Sequence, residues 1–143
     1  MDLKKAAFWL GLAGYIPFGF FALGMVFGGD HAATAQALLI GYAAIILSFL
    51  GGIRWGIGLV SEDGKAQAVA LALSVIPSLW AWVAAFIGGN VAFLMFAVGF
   101  IAMGWWDNKL VVEGGAPVWF GSLRLILTGL VTLTMLAASF AAL

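Results

Sequence analysis

The most constraining feature of the sequence is a series of five apolar runs separated by short polar or glycine-rich segments. A transmembrane helix needs about 20 mostly apolar residues, and four of the runs reach that length. Only 8% of the residues are charged, whereas soluble domains carry roughly 25%, so this chain cannot cover a water-facing surface. We predict an all-α integral membrane bundle in a single domain, residues 1–143. The predicted spans are 6–28, 32–60, 66–87, 91–106 and 118–143.

The basic residues set the predicted orientation. With five spans, all the lysines and arginines fall on the N-terminal side of the membrane, namely Lys4, Lys5, Arg54, Lys65, Lys109 and Arg124. Because cytoplasmic loops are enriched in these residues, we predict a cytoplasmic N-terminus and an outside C-terminus. The first run exceeds the roughly 7–15 apolar residues of a signal peptide, so we expect it to stay as a span. We expect a bacterial inner membrane; in a mitochondrion the cytoplasmic side would be the matrix.

One arginine lies inside the second span, in the stretch from Ser48 to Gly56. A charge in the hydrocarbon costs at least ~2.5 kcal/mol, so Arg54 needs a partner or a route to the surface. Asp107 ends the fourth span and Arg124 lies in the second turn of the fifth, on the same predicted side. We predict that these three residues form a polar cluster, with Asn108 and Glu113 as candidate further members.

Two interpretations of this cluster stay open. In the first, Arg54 extends toward the headgroups and pairs with Asp107, which fixes the register of the helices. In the second, the two arginines bind an anionic headgroup or ligand, because one aspartate leaves a local positive excess.

Glycines and prolines give weaker signals. Gly51, Gly52 and Gly56 follow the small-residue spacing of close helix contacts; packing within the chain is the favoured use, and a contact between copies is the alternative. Pro17 and Pro77 are predicted to kink the first and third spans, because proline removes a helical hydrogen bond. A gating role for these two kinks is the alternative.

The two prolines also belong to a candidate internal repeat. Ile16-Pro17 and Ile76-Pro77 are separated by sixty residues, as are the glycine-rich turns at 28–30 and 88–90. Spans one and two would then repeat as spans three and four, in parallel, with the fifth helix added. Parallel repeats of this kind occur in transporters.

The sequence lacks the residues that several kinds of functional site require. The chain has no cysteine, and its one histidine, His31, lies in the outer turn, so haem, zinc and Ser–His chemistry are not expected. No span carries an aspartate or glutamate at mid-membrane, the usual coupling group of proton-driven carriers. There is no basic cluster for nucleic acid. We therefore expect no cofactor, no metal, no nucleic acid and no enzymatic activity; an enzyme acting through Arg54 and Asp107 is the least supported class.

Four segments together resemble one family. They are Ser48–Gly56, Ile16-Pro17-Phe18, Ile76-Pro77-Ser78-Leu79 and the stretch from Trp119 through Leu123-Arg124-Leu125. In this order they resemble the small membrane-protein family that includes transmembrane protein 69. The resemblance covers nearly the whole chain and implies an inner-membrane location in bacteria and a mitochondrial one in animals. It implies no catalytic residue. Relatives often have histidine where this chain has Arg54, which argues against a shared ligand role there.

These observations favour a non-enzymatic role, as a scaffold or assembly partner that packs against membrane lipids, other membrane proteins or a second copy of itself. The alternative is a small-solute carrier or channel that uses the kinked spans one and three. That alternative predicts a polar-lined cavity reaching the membrane midplane between these two spans.

Overall fold

A computed structural model describes residues 2–60 and 64–143. For residues 64–66 it describes the backbone only, so Lys65 is outside the residues whose side chains are described. Within this part of the chain there are only helices, and the predicted all-α class is confirmed. A short 3₁₀ helix, Gly29–His31, connects the first two α-helices of the chain. The α-helices are α1 Leu3–Phe27, α2 Ala32–Leu59, α3 Gly64–Ser74, α4 Ile76–Ile87, α5 Gly89–Val112 and α6 Val118–Ala141.

Five helical segments are long and apolar enough to cross a membrane, which confirms the predicted number of spans. They are Leu3–Phe27, Gly29–Leu59, Gln67–Ile87, Gly89–Val112 and Val118–Ala141. The third span therefore contains most of α3 and all of α4. The helices extend beyond several of the approximate predicted spans, most clearly at Leu3, ahead of residue 6, and at Val112, beyond residue 106. Apolar length locates the hydrocarbon-crossing part of a helix, whereas backbone hydrogen bonding continues beyond it.

The two prolines occupy different positions in their helices. Pro17 lies inside α1, which is assigned as one helix from Leu3 to Phe27. Pro77 is the second residue of α4, after a break between the helices at Val75. Proline suits the first turn of a helix, where its missing N–H would have no partner in any case. The third span is thus divided into two helices, while the first is continuous.

The helices pack around α2 and α5. Helix α2 contacts α1, α3, α4 and α5, and α5 also contacts α4 and α6. Helix α1 contacts α2 and α6 but neither α3 nor α4. The largest fully buried side chains are Phe18, Phe93, Phe96, Leu39, Leu47 and Met135. An aromatic group in α1 and α5 thus fills the centre against leucines of α2 and a methionine of α6.

Glycines allow the closest helix contacts. A Cβ built on Gly104 of α5 would lie 2.6 Å from Thr128 Oγ1 of α6. A Cβ on Gly51 of α2 would lie 2.5 Å from the carbonyl oxygen of Ser74. Any side chain at these two positions would push neighbouring helices apart.

One end of the bundle carries the cations, and we call it the basic end. Lys4 and Lys5 of α1 line a surface cavity together with Trp119 and Ser122 of α6. Contacts described below bring Arg54, Asp107 and Arg124 to this same end.

Candidate functional site

The centre of the basic end is an ion pair between α5 and α6. Arg124 Nε donates a hydrogen bond to Asp107 Oδ2 over 2.6 Å. Arg124 is only 8% exposed and Asp107 only 3%. Charge-assisted hydrogen bonds of this kind are among the stronger ones in proteins, so this contact fastens α6 to α5 at a defined height.

Arg54 of α2 is equally buried, at 8% exposure, but it makes a different contact. Its Cζ lies 4.2 Å from the ring centroid of Trp106, a cation–π distance. Its Nε and Nη1 have no hydrogen-bond partner among the described residues. The expected ion pair of Arg54 with Asp107 is therefore corrected, because Asp107 pairs with Arg124 instead.

Helix geometry explains the exchange of partners. Neighbouring residues on a helix point about 100° apart, so Trp106 and Asp107 face different neighbours. Trp106 contacts Arg54 of α2, while Asp107 contacts Arg124 of α6. The three predicted residues thus lie at one end of the bundle around α5, in an arrangement that the sequence pattern does not specify.

The two candidate further members lie outside this centre. Glu113 is exposed and pairs with Lys109 at 3.8 Å, one helical turn earlier. Asn108 is half-buried and makes no side-chain hydrogen bond in the described part of the chain. Within residues 2–60 and 64–143, no group of three histidine, aspartate or glutamate side chains is placed to hold a metal.

A cleft of about 150 Å³ adjoins the ion pair. Its walls are side chains of α1, α2, α5 and α6, almost all apolar. The polar exceptions include Arg124 and Thr128, one turn apart on α6. Arg124 Nη2 and Thr128 Oγ1 are both buried without a partner among the described residues. Sequence reasoning missed Thr128, because one threonine in an apolar helix gives no signal of its own.

The cleft opens sideways between α1 and α2. Leu10 of α1 and Phe49 of α2, both on its rim, are 71% and 61% exposed on the bundle surface. Farther from the basic end the two helices meet, where Tyr42 donates a hydrogen bond to the Gly14 carbonyl oxygen over 2.8 Å. The opening therefore faces the position of membrane lipid.

In the described residues, no main cavity is lined by both the first and the third span, and α1 contacts neither α3 nor α4, so the expected cavity between these spans is not seen. Helix α2 contacts α1 and also contacts α3 and α4. The cleft described above is lined by α1 together with α2, α5 and α6. The two proline-containing spans are thus not neighbours in the bundle.

The three predicted packing glycines separate into two groups. Gly51 faces α3 and α4, close to Ser74 and Pro77. Gly52 and Gly56 are exposed, and a Cβ built on either meets no described atom within 4 Å. The favoured interpretation, packing within the chain, is therefore wrong for Gly52 and Gly56 in the described structure.

Comparison with known proteins identifies relatives along almost the whole chain. A family model described as "Protein of unknown function (DUF3429)" matches residues 3–140. Transmembrane protein 69 of Xenopus tropicalis is 36% identical over 130 residues, covering 89% of this chain and 51% of the relative. Transmembrane protein 69 of Mus musculus is 35% identical over 132 residues, covering 90% of this chain and 53% of the relative. The chain spans about half the length of these curated relatives.

These comparisons confirm the resemblance and support a multi-pass membrane protein. Both relatives are animal proteins, so they give no support to the expected bacterial inner membrane. No solved structure matches the chain. Because a family model covers nearly every residue and the relatives agree with it, the chain belongs to the DUF3429 family, together with transmembrane protein 69.

Proposed function

We propose that this chain is a non-enzymatic assembly protein, and that it binds another transmembrane helix through one exposed face of α2. The observation that carries the proposal is the outward position of Gly52 and Gly56. Glycines at this spacing let two helix backbones approach closely, so van der Waals contact can hold them together in lipid.

The face extends beyond these two glycines. Ser48 precedes Gly52 by one helical turn, and Gly41 precedes it by three. A Cβ on Gly41 also meets no described atom within 4 Å, and the serine is half-buried. We call Gly41, Ser48, Gly52 and Gly56 the small-residue face of α2. Its glycines and serine offer a partner helix a surface for close approach from Ser48 to Gly56, with exposed Trp55 at its edge and exposed Ile45 between Ser48 and Gly41.

The chemistry of the basic end supports a non-enzymatic role. The buried carboxylate of Asp107 is engaged by Arg124 and so is poorly placed as a free base. The carrier alternative has less support, because no main cavity of the described residues is lined by both the first and the third span.

Photo-cross-linking in native membranes tests the proposal. A photoreactive residue replaces Leu59, which is exposed and lies on the same side of α2 as the small-residue face. We expect covalent adducts larger than the monomer, and we expect their loss in the double variant Gly52→Ile/Gly56→Ile. The matched control is Gly129→Ile on α6, an exposed position that is equally open. Repeated recovery of monomer alone would contradict the proposal, as would adducts that persist in the double variant.

A further inference from the structure

We propose that the cleft between α1 and α2 binds an anionic phospholipid. Its phosphate would contact Arg124, which lines the cleft, and Arg54, which lies outside the cleft on Trp106 at the same end, and part of one acyl chain would enter the cleft. This inference does not rest on the helix-binding role proposed above, because none of Gly41, Ser48, Gly52 and Gly56 lines the cleft.

The first argument is charge. The buried centre contains two guanidinium groups and one carboxylate, so it carries a positive excess. Three guanidinium nitrogens, Arg54 Nε and Nη1 and Arg124 Nη2, are buried without a hydrogen-bond partner among the described residues. A buried donor without a partner is unfavourable, because it has lost its hydrogen bonds to water. An anionic group with several acceptor oxygens would satisfy these donors and neutralise the excess.

The second argument is the chemistry of the anion. Guanidinium groups bind phosphate through paired, planar hydrogen bonds. Arg124 lines the cleft, Asp107 holds its Nε, and its buried Nη2 has no partner among the described residues. The ion pair thus orients Arg124 and leaves one edge of its guanidinium available.

The third argument is depth. Arg124 lies six residues into α6, roughly 9 Å from its start, and Arg54 lies about the same distance from the end of α2. These heights match the boundary between headgroups and acyl chains. From Arg124 the cleft continues along α6 past Thr128 to Val131, toward the middle of the membrane. A phosphate at the arginines would therefore place the attached chain along an apolar wall.

The sideways opening favours a lipid over a free anion. Leu10 and Phe49 border the cleft on the lipid-facing surface, so a chain can enter from the bilayer. The cleft holds only part of a chain, because its volume is about 150 Å³. The remainder would lie on the exposed apolar surfaces of α1 and α2.

Native mass spectrometry of the full chain tests the charge requirement. The protein is released from detergent micelles that contain phosphatidylglycerol or phosphatidylcholine. We expect the wild type to retain one phosphatidylglycerol in preference to phosphatidylcholine. Arg54→Gln removes the positive excess and keeps the Arg124–Asp107 pair, so we expect at least a fivefold loss of retained lipid. Lys109→Gln removes an exposed cation and serves as the matched control, with retention expected to stay within twofold.

A second variant tests the chain-binding part and remains informative if Arg54→Gln fails to fold. Gly14 lines the cleft, and a Cβ there meets only Tyr42 Oη, at 4.0 Å. Gly14→Leu should fill the cleft, so it should lower phosphatidylglycerol retention at least fivefold while Arg54 and Arg124 stay intact. Thermal unfolding with inorganic phosphate as the probe distinguishes the sources. Stabilisation by phosphate without lipid retention would overturn the lipid assignment, as would equal retention of both lipids or unchanged retention in Gly14→Leu.

Discussion

Arg124 Nε lies 2.6 Å from Asp107 Oδ2, and this hydrogen bond joins two residues that are both at least nine-tenths buried. The buried carboxylate of Asp107 therefore binds a residue of α6, and the guanidinium of Arg54 instead packs on the aromatic ring of Trp106. The same bond holds Arg124 at the wall of the cleft. Structural stability and any anion binding at this end therefore depend on one aspartate.

Removing Asp107 should destabilise the bundle strongly. Asp107→Ala leaves both arginines buried without a carboxylate, and breaking a buried pair from one side costs about 3–5 kcal/mol. The double variant Asp107→Asn/Arg124→Gln should lose less than the sum of its single variants, because neither charge is then left alone. The free energy of unfolding in mixed micelles measures the cycle. Glu113→Ala, in an exposed pair, should change stability little; strict additivity in the cycle would contradict the pairing.

Alanine at two adjacent glycines should have opposite effects. Gly51→Ala places its Cβ against the Ser74 carbonyl oxygen, and overpacking of this kind costs about 1–3 kcal/mol. Gly52→Ala meets no described atom within 4 Å and improves helix propensity by up to about 1 kcal/mol. Thermal unfolding of monomer in detergent measures both. Equal loss of stability in the two variants would argue against the placement of α2.

A second glycine pair tests the contact between α5 and α6. Gly104→Ala should lower stability by about 1–3 kcal/mol, since its Cβ would collide with Thr128. Gly129→Ala, at an exposed and open position on α6, should be neutral or slightly stabilising. Combining Gly104→Ala with Thr128→Ala should recover part of the loss. The relevant measurement is again the midpoint of thermal unfolding, and no recovery in the combination would contradict the close approach.

The predicted orientation can be checked with single cysteines, because the chain contains none of its own. Cysteine at Lys4 should react with a membrane-impermeant maleimide only from the cytoplasmic or matrix side. Cysteine at Leu143 should react only from the opposite side, since five spans separate the two positions. Labelling of both from one side would contradict the prediction.

The sequence predicted the helical class and the number of spans because both follow from the solvent. Hydrocarbon requires long apolar stretches with internally satisfied backbones, and these stretches are visible residue by residue. The helix ends were less predictable: α5 continues through the polar stretch from Asp107 to Lys109, at which the apolar span was predicted to end, as far as Val112. The break at Val75 lies just ahead of Pro77, in the span where the sequence predicted a kink, whereas α1 is one helix through Pro17.

The site was only partly predictable. Because a charged side chain in hydrocarbon is unfavourable, the sequence predicted that Arg54, Asp107 and Arg124 lie together at one end of the bundle. Their pairing depends on which way consecutive residues of α5 point, and so the sequence could not assign Asp107 to Arg124 instead of Arg54. Thr128 gave no signal, because its importance comes from the cleft beside it.

The sequence by itself determined an apolar five-span helical chain with its cations gathered toward one end, because transfer free energies act on each residue separately. Only the tertiary structure decided that Gly51 faces inward and Gly52 outward. It also decided that Asp107 pairs with Arg124 of α6, and that a cleft lies beside Arg124. These features depend on the rotation and contact of neighbouring helices. In a bundle whose spans are all apolar, no pattern of hydrophobicity distinguishes the side that faces protein from the side that faces lipid.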